Sequence, residues 1–565
     1  MKKSRLVLLL SSILLASCSN IRFNTGSNSS ASSSSSSSTT SSVLKESATS
    51  SSLSSIADSS VSSSKEESSK IDSGSQETSS VVSTPKEGDI QIYALNDFHG
   101  ACVPMDYEAG ILKVGSFFKE KGKQANTLIL NSGDMFQGSL LSNSNRGEFL
   151  TKVMNDVQFD CFTLGNHEFD WGIDVIKKNA LLKDETTNYS TPVLAANIYN
   201  YDLETKTVGS YANLGEKYVI RTLENGIKVG IIGCIGTDQI TSITSTYVDD
   251  LIFLDPVEVT KTLSDELRTK EGCDVVILDL HADEDSVLSQ GFTTTSSVSH
   301  KRYVDAVLCA HSHQGETSME NGVPFVQASC NGKAYSDISL HLSLNGNVTC
   351  NSYDYTYTSL ISTSIDANLQ SYYDYYSSLV DADEVIGNLS GNLTKDGNDS
   401  TTKVSTFVTT AMGWACNQNG NNFSIDYSMC NTSRANIKSG VVTLEDMFKA
   451  LPFDNEIYIG TVKGSDIYNE MKYNTFTRYD KSALNLNSTY TIAVIDYLAT
   501  HRNAARNYDY FPSFQLVGTL KNNGESWTYR DISIDYFKSL GNISASNYSS
   551  YDAIHDVDQV FDEIQ

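Results

Sequence analysis

Seven short apolar runs between residues 90 and 310 constrain this chain more than any other feature. They read IQIYAL, TLIL, CFTL, PVLAANI, IKVGIIGCIG, DVVILDL and DAVLCA. Each is apolar almost throughout rather than alternating, the pattern of a strand covered on both faces. Amphipathic stretches such as GILKVGSFFKEK and GEFLTKVMNDV lie between them with helical spacing. Strands alternating with helices predict an α/β domain whose folded character starts at Asp89.

The polar residues that end these runs are not of random type. IQIYAL closes on Asn96-Asp97-Phe98-His99, TLIL on Asn131-Ser132-Gly133-Asp134, and CFTL on Gly165-Asn166-His167-Glu168. DVVILDL closes on His281 and DAVLCA on His311-Ser312-His313, so five of the nine histidines stand at strand ends. Open α/β sheets build their sites at the carboxyl ends of strands. Carboxylate, amide and imidazole donors suit Mn, Zn, Mg, Fe or Co better than copper or iron–sulfur clusters. Asp-x-His and His-x-His are expected to aim two ligands to one side of an extended segment. The set exceeds what one ion takes, so two ions sharing a carboxylate are expected. Taken singly, each motif is also an ordinary turn, helix cap or core histidine.

Asn96-Asp97-Phe98-His99-Gly100, Gly133-Asp134-Met135-Phe136-Gln137-Gly138-Ser139, Gly165-Asn166-His167-Glu168-Phe169-Asp170 and Ala310-His311-Ser312-His313 together resemble the motifs of the calcineurin-like metallophosphoesterases. Within these they resemble the secreted 5′-nucleotidase group, which includes UDP-sugar hydrolases and 2′,3′-cyclic-nucleotide phosphodiesterases. The resemblance covers nearly all of residues 88–350. It implies a metallophosphoesterase β-sandwich flanked by helices, followed by a second, α+β domain of the 5′-nucleotidase C-terminal type. It also implies two divalent cations (Mn, Zn, Co or Mg), one held by Asp97, His99, Asp134 and His313. The other would be held by Asp134, Asn166, His281 and His311, and the surroundings of His281 (LDLHADED) match only loosely. His167 becomes the catalytic imidazole and Asp170 its orienting partner, while Glu168 reads as structural. The expected reaction is hydrolysis of a phosphoester by a water that the cations activate, with His167 assisting the leaving oxygen.

The resemblance places a nucleotide pocket in the second domain. There Phe453 of LPFDN and Tyr497 of DYLA match two aromatics that stack on a base, and Arg434 of CNTSRANI matches an arginine that grips substrate. Both rings also read as core residues. The glycine-rich turn usual before the arginine is missing. THRN replaces another glycine-rich turn, leaving Asn503 as a candidate contact to base or sugar, and Lys403 is the cation nearest an upstream arginine position. The resemblance implies a nucleoside 5′-monophosphate as the expected substrate, with a 2′,3′-cyclic nucleotide, a UDP-sugar or a dinucleotide as alternatives that the sequence does not separate. An inactive surface-binding protein on the same scaffold would predict lost ligands, and none of the matching positions has lost one.

Composition sets the surroundings. The 565 residues carry a net charge of −27, which disfavours nucleic-acid polymers and anionic membrane surfaces as partners. Residues 1–18 resemble a lipoprotein signal whose lipobox, Leu15-Ala16-Ser17-Cys18, offers Cys18 for lipidation. This predicts a chain anchored by lipid to the outer face of a bacterial cytoplasmic membrane. Residues 19–87, mostly serine, read as a disordered tether. The remaining expected organisation is a phosphoesterase domain over 88–360, a linker helix over 361–383, a nucleotide-binding domain over 384–545 and an acidic tail over 546–565. Several of the ten cysteines lie inside apolar runs, so few or no disulfides are expected. The sequence does not fix the oligomeric state.

Overall fold

Strands covered on both faces need two layers of cover, and the fold supplies them as two packed sheets with helices outside each. The computed structural model describes residues 85–105, 107–283, 291–395, 403–479, 484–503 and 508–549. The signal, Cys18, nearly all of the serine-rich tether and most of the acidic tail lie outside the described residues.

The first six-stranded sheet runs, in spatial order, Val348–Tyr357, Ala334–Leu342, Gly88–Leu95, Thr127–Asn131, Cys161–Thr163 and Val193–Leu194. The second runs Gly315–Glu320, Val323–Ala328, Ala306–Leu308, Val275–His281, Lys228–Ile235 and Tyr218–Thr222. Their inner faces share one core, in which Ile90, Ile92, Leu128 and Leu130 of the first sheet meet Val229, Ile231, Val275 and Ile277 of the second. The outer face of the first sheet carries the helices Gly110–Lys121 and Glu148–Val157, whose Val114, Phe118, Phe149 and Val153 are buried against Leu95, Ile129 and Phe162. The helix Pro256–Thr269 covers the second sheet through Val257, Leu263 and Leu267. It starts on proline, with the Asp255 carboxylate accepting the Val257 N–H at 2.8 Å.

Parallel pairing lines up the strand ends that carry the site. Leu95 pairs with Asn131 and Asn131 with Phe162. In the other sheet His281 pairs with Ile235, and the strand Ala306–Leu308 runs parallel beside it. The two sheets thus deliver their ligand-bearing loops to one edge of the sandwich.

A helix over Ala367–Ser377 leaves this domain. The Asp366 carboxylate caps it at Asn368 N (3.0 Å) and Leu369 N (3.3 Å), and its Leu369 and Tyr376 are buried in the core of the first helix layer. The segment beyond builds a five-stranded sheet ordered Thr475–Arg478, Tyr427–Cys430, Thr489–Ile495, Ile457–Lys463 and Gln515–Thr519. A three-stranded sheet of Gly440–Thr443, Val385–Ser390 and Asn542–Ser544 lies with it, and the helices Val404–Ala415 and Tyr529–Leu540 share its core. Among the described residues nine cysteines are free, seven of them buried, and no helix is long and apolar enough to cross a membrane.

Candidate metal centre

Three of the five segments at the sheet edge leave it on left-handed backbone, while His281 still belongs to its strand and Asn166 is right-handed. Asp97 (φ 47°), His99 (φ 50°), Asp134 (φ 53°), His311 (φ 78°) and His313 (φ 63°) all adopt left-handed backbone. The alternation expected for Asp97-x-His99 and His311-x-His313 is therefore not what converges these ligands. Tight left-handed turns do it, each at a cost of about 1 kcal/mol that the surrounding structure must offset.

The turns gather two groups. Asp97, His99 and His313 form one, and Asp134, His281 and His311 the other; within each group the ligand atoms lie within 4.8 Å of one another. In the first, His313 Nε2 lies 3.0 Å from His99 Nε2 and 3.4 Å from Asp97 Oδ1. In the second, Asn166 Oδ1 lies 3.1 Å from His281 Nε2 and 3.0 Å from His311 Nδ1. Asp134 Oδ2 faces both groups, 3.3 Å from His281 Nε2 and 3.8 Å from His99 Nε2. It is buried and receives no well-formed hydrogen bond.

Backbone carbonyls orient two of the imidazoles. His99 Nδ1 lies 3.1 Å from the Gln137 carbonyl and His281 Nδ1 lies 2.8 Å from the Ser132 carbonyl. A carbonyl only accepts, so each ring keeps its proton on Nδ1 and turns the Nε2 lone pair inward. Lone pairs this close repel unless something positive stands among them. With protons alone the cluster splits. Burial and neighbouring imidazoles push His99 down to about 3 and His311 down to about 4. Against the same burial, the Asp97 carboxylate holds His313 up at about 10 and the Asp134 carboxylate holds His281 up at about 9. An orphaned carboxylate oxygen between two inward-facing nitrogen and oxygen sets is a donor arrangement that fits two divalent cations.

His167 stands on the rim. Its backbone N–H donates to Asp134 Oδ1 at 2.8 Å, fixing the residue to the second strand end. Its Nδ1 lies 2.9 Å from Asp170 Oδ2, and Arg434 Nη2 donates to its Nε2 at 3.2 Å. Burial pulls its pKa down, but the Asp170 and Asp134 charges outweigh burial and the net shift is upward. The Phe453 ring stacks on the imidazole at 5.5 Å between centroids and 29° between planes, and the Arg434 guanidinium lies 5.0 Å from the Phe453 centroid.

Two carboxylates behind the site were less visible in the sequence. Glu168 accepts the backbone N–H groups of Asp134 (2.9 Å), Met135 (2.9 Å) and Gly165 (2.8 Å), tying two ligand loops together. Burial and the Asp134 charge raise its carboxyl to about 7. Asp279 sits in the buried strand Val275–His281 and accepts Ser132 Oγ at 2.5 Å and Thr163 Oγ1 at 2.6 Å. Its signal was a single carboxylate inside an otherwise apolar run. Gly165 has no room for a side chain, because a Cβ there would lie 2.3 Å from Asp134 Oδ1.

The expected substrate residues divide. Arg434 and Phe453 are brought to His167. Tyr497 instead donates its hydroxyl to the Thr241 carbonyl at 3.3 Å, with its ring 4.6 Å from that of His501. Asn503 lies in the two-residue strand Arg502–Asn503, and its side chain falls outside the description. Lys403 is the N-cap of the helix Val404–Ala415.

The sandwich and its two facing ligand groups define a class, the dimetal phosphoesterase type. Comparison with known proteins makes this specific. Residues 90–315 match the model of the calcineurin-like phosphoesterases, and residues 385–477 match that of the 5′-nucleotidase C-terminal domain. The chain belongs to the calcineurin-like phosphoesterases that carry a 5′-nucleotidase C-terminal domain. It is 27% identical to the cell wall protein Lmo0130 of Listeria monocytogenes over 44% of this chain and 36% of that protein. It is 32% identical to an apyrase of Tabanus yao over 40% of each chain. The chain thus spans well under half the length of these curated relatives. The fold is that of a 5′-nucleotidase precursor from Thermus thermophilus, with a TM-score of 0.62, 19% identity, and coverage of 81% of this chain and 97% of that one.

Proposed function

We propose that this chain is a metal-dependent nucleotide phosphohydrolase, acting outside a bacterial cell and releasing phosphate from nucleoside 5′-monophosphates. The observation that carries the reading is the buried Asp134 Oδ2, which accepts no well-formed hydrogen bond and lies between two groups of metal-type ligands, with His167 beside them and Arg434 bonded to it. The names of the relatives support the phosphohydrolase class and a nucleotide substrate. A location outside the cell is supported by the signal-like residues 1–18 and by the cell-wall relative. Anchoring through a lipid on Cys18 is part of the same proposal.

When bound, divalent cations would supply Lewis acidity to the phosphoryl oxygens and acidity to a water. Asp97, His99, Asp134 and His313 would hold one ion, and Asp134, Asn166, His281 and His311 the other. The protein's own groups do the rest. Asp170 holds the His167 Nδ1 proton, so the ring presents Nε2 to the pocket. Protonated there, His167 donates to the leaving ribose oxygen, help worth roughly 10²–10⁴-fold. Arg434 exchanges its bond to His167 for a phosphate oxygen. Phe453 offers a ring face to the base, and Tyr497 and Asn503 are the further candidate contacts to base or sugar.

A substrate panel tests this: AMP, 2′,3′-cyclic AMP, a UDP-sugar and NAD, each with added Mn, Co or Zn, read by phosphate release or product chromatography. AMP is expected to turn over best. Preference for the cyclic nucleotide or a pyrophosphate would reassign the leaving group. No turnover with any of these metals would favour a binding protein on an enzyme scaffold.

A further inference from the structure

Phe453 is carried by the turn Leu451-Pro452-Phe453-Asp454, and that turn is gripped from two sides. From its own domain, the buried Arg530 donates through Nη1 to the carbonyls of Pro452 (3.0 Å) and Phe453 (3.0 Å), with Leu451 O at 3.4 Å. Its Nη2 forms a short ion pair with Asp454 Oδ1, and its guanidinium lies 3.8 Å over the Phe448 ring. From the phosphoesterase domain, Trp171 Nε1 donates to Asp454 Oδ2 at 3.2 Å, and Asn143 Nδ2 donates to the Pro452 carbonyl at 2.7 Å. Trp171 directly follows Asp170, the partner of His167. One carboxylate thus receives an arginine on one oxygen and an indole N–H from the catalytic segment on the other.

A planar guanidinium that collects successive carbonyls and a carboxylate fixes a turn more closely than a single contact would. The bonds from Trp171 and Asn143 tie the same turn to the phosphoesterase domain. The geometry points to Asp454 as a positioning residue: joined to Arg530 and Trp171, it sets Phe453 stacked on the His167 ring and so selects nucleotides over phosphoesters that lack a base. This rests on the nucleotide reading above, because only a substrate with a base would sense where the ring stands.

Trp171→Phe keeps an aromatic ring and removes the N–H, while Asp454→Asn keeps the shape and removes the charge. Full-length variants are compared on AMP and on p-nitrophenyl phosphate with added Mn. Each is expected to raise KM for AMP about tenfold, as loss of a hydrogen bond to a charged group does, with kcat within about twofold. On p-nitrophenyl phosphate both parameters stay within about twofold of the parent. Hydrogen–deuterium exchange of the peptide spanning 447–456 is expected to rise in both variants. Equal losses on the two substrates, or no loss on AMP, overturn the proposal. If the parent cleaves p-nitrophenyl phosphate and no nucleotide, it is the nucleotide reading that fails. The clamp is then judged by exchange alone, and unchanged exchange in Trp171→Phe overturns it.

Discussion

Asp134 carries more of this account than any other residue. One of its oxygens accepts the His167 N–H and the other faces both ligand groups with no hydrogen bond. Asp134→Ala is expected to abolish both metal binding and turnover, measured by metal analysis of the purified variant beside an activity assay. His167→Ala is a sharper case: turnover should fall by roughly 10² or more while both metals stay bound. Loss of metal in that variant would mean the imidazole is a ligand. Gly165→Ala forces a Cβ to within 2.3 Å of Asp134 Oδ1, so the loop must move and metal affinity should drop with activity. At this scale the sequence showed which residues would meet, because aspartate, asparagine and histidine crowd the ends of apolar runs. It did not show how they meet. Left-handed backbone at Asp97 or His311 is marked only weakly by residue type: aspartate and histidine adopt it more readily than most residues, but neither demands it as a glycine would. Glu168 is legible only as a structural residue because its partners are backbone N–H groups, which every residue has.

Elements were legible in proportion to how completely they are covered. The helices over Gly110–Lys121 and Glu148–Val157 follow the amphipathic stretches, and the strands Thr127–Asn131 and Lys228–Ile235 follow continuous apolar runs. Two edge strands did not stand out. Gly315–Glu320 reads GETSME with no fully buried residue, and Val348–Tyr357 reads VTCNSYDYTY and is largely exposed. An edge strand owes its place to hydrogen bonds with its neighbour, which composition does not record. One ion pair ties helix to sheet in a way that can be measured. Arg268 Nη2 lies 2.7 Å from Asp305 Oδ2, both side chains nearly inaccessible, and the same oxygen accepts the Val276 N–H at 3.0 Å. Asp305→Ala should therefore cost about 3–5 kcal/mol in denaturant unfolding, because it leaves a buried guanidinium uncompensated.

Across the whole molecule, the histidine proposed as catalytic belongs to one domain and the residues that would read the substrate belong to the other. Arg434 and Phe453 reach His167 from the C-terminal domain, so a change there should alter which substrate is chosen and leave the metals in place. Phe453→Ala is expected to raise KM for AMP several-fold, the loss of one stacking face. The metal content should not change. That the two domains exist was readable from the motifs at Asp97–His313 and the LPFDN stretch. That Tyr497 would turn its hydroxyl to Thr241 was not, because the contact joins residues 256 positions apart. The central claim is that two cations share Asp134, and anomalous diffraction from crystals grown with Mn tests it most directly. The account predicts two peaks flanking Asp134, one beside Asp97, His99 and His313 and the other beside Asn166, His281 and His311. A single peak, or peaks remote from Asp134, would contradict it.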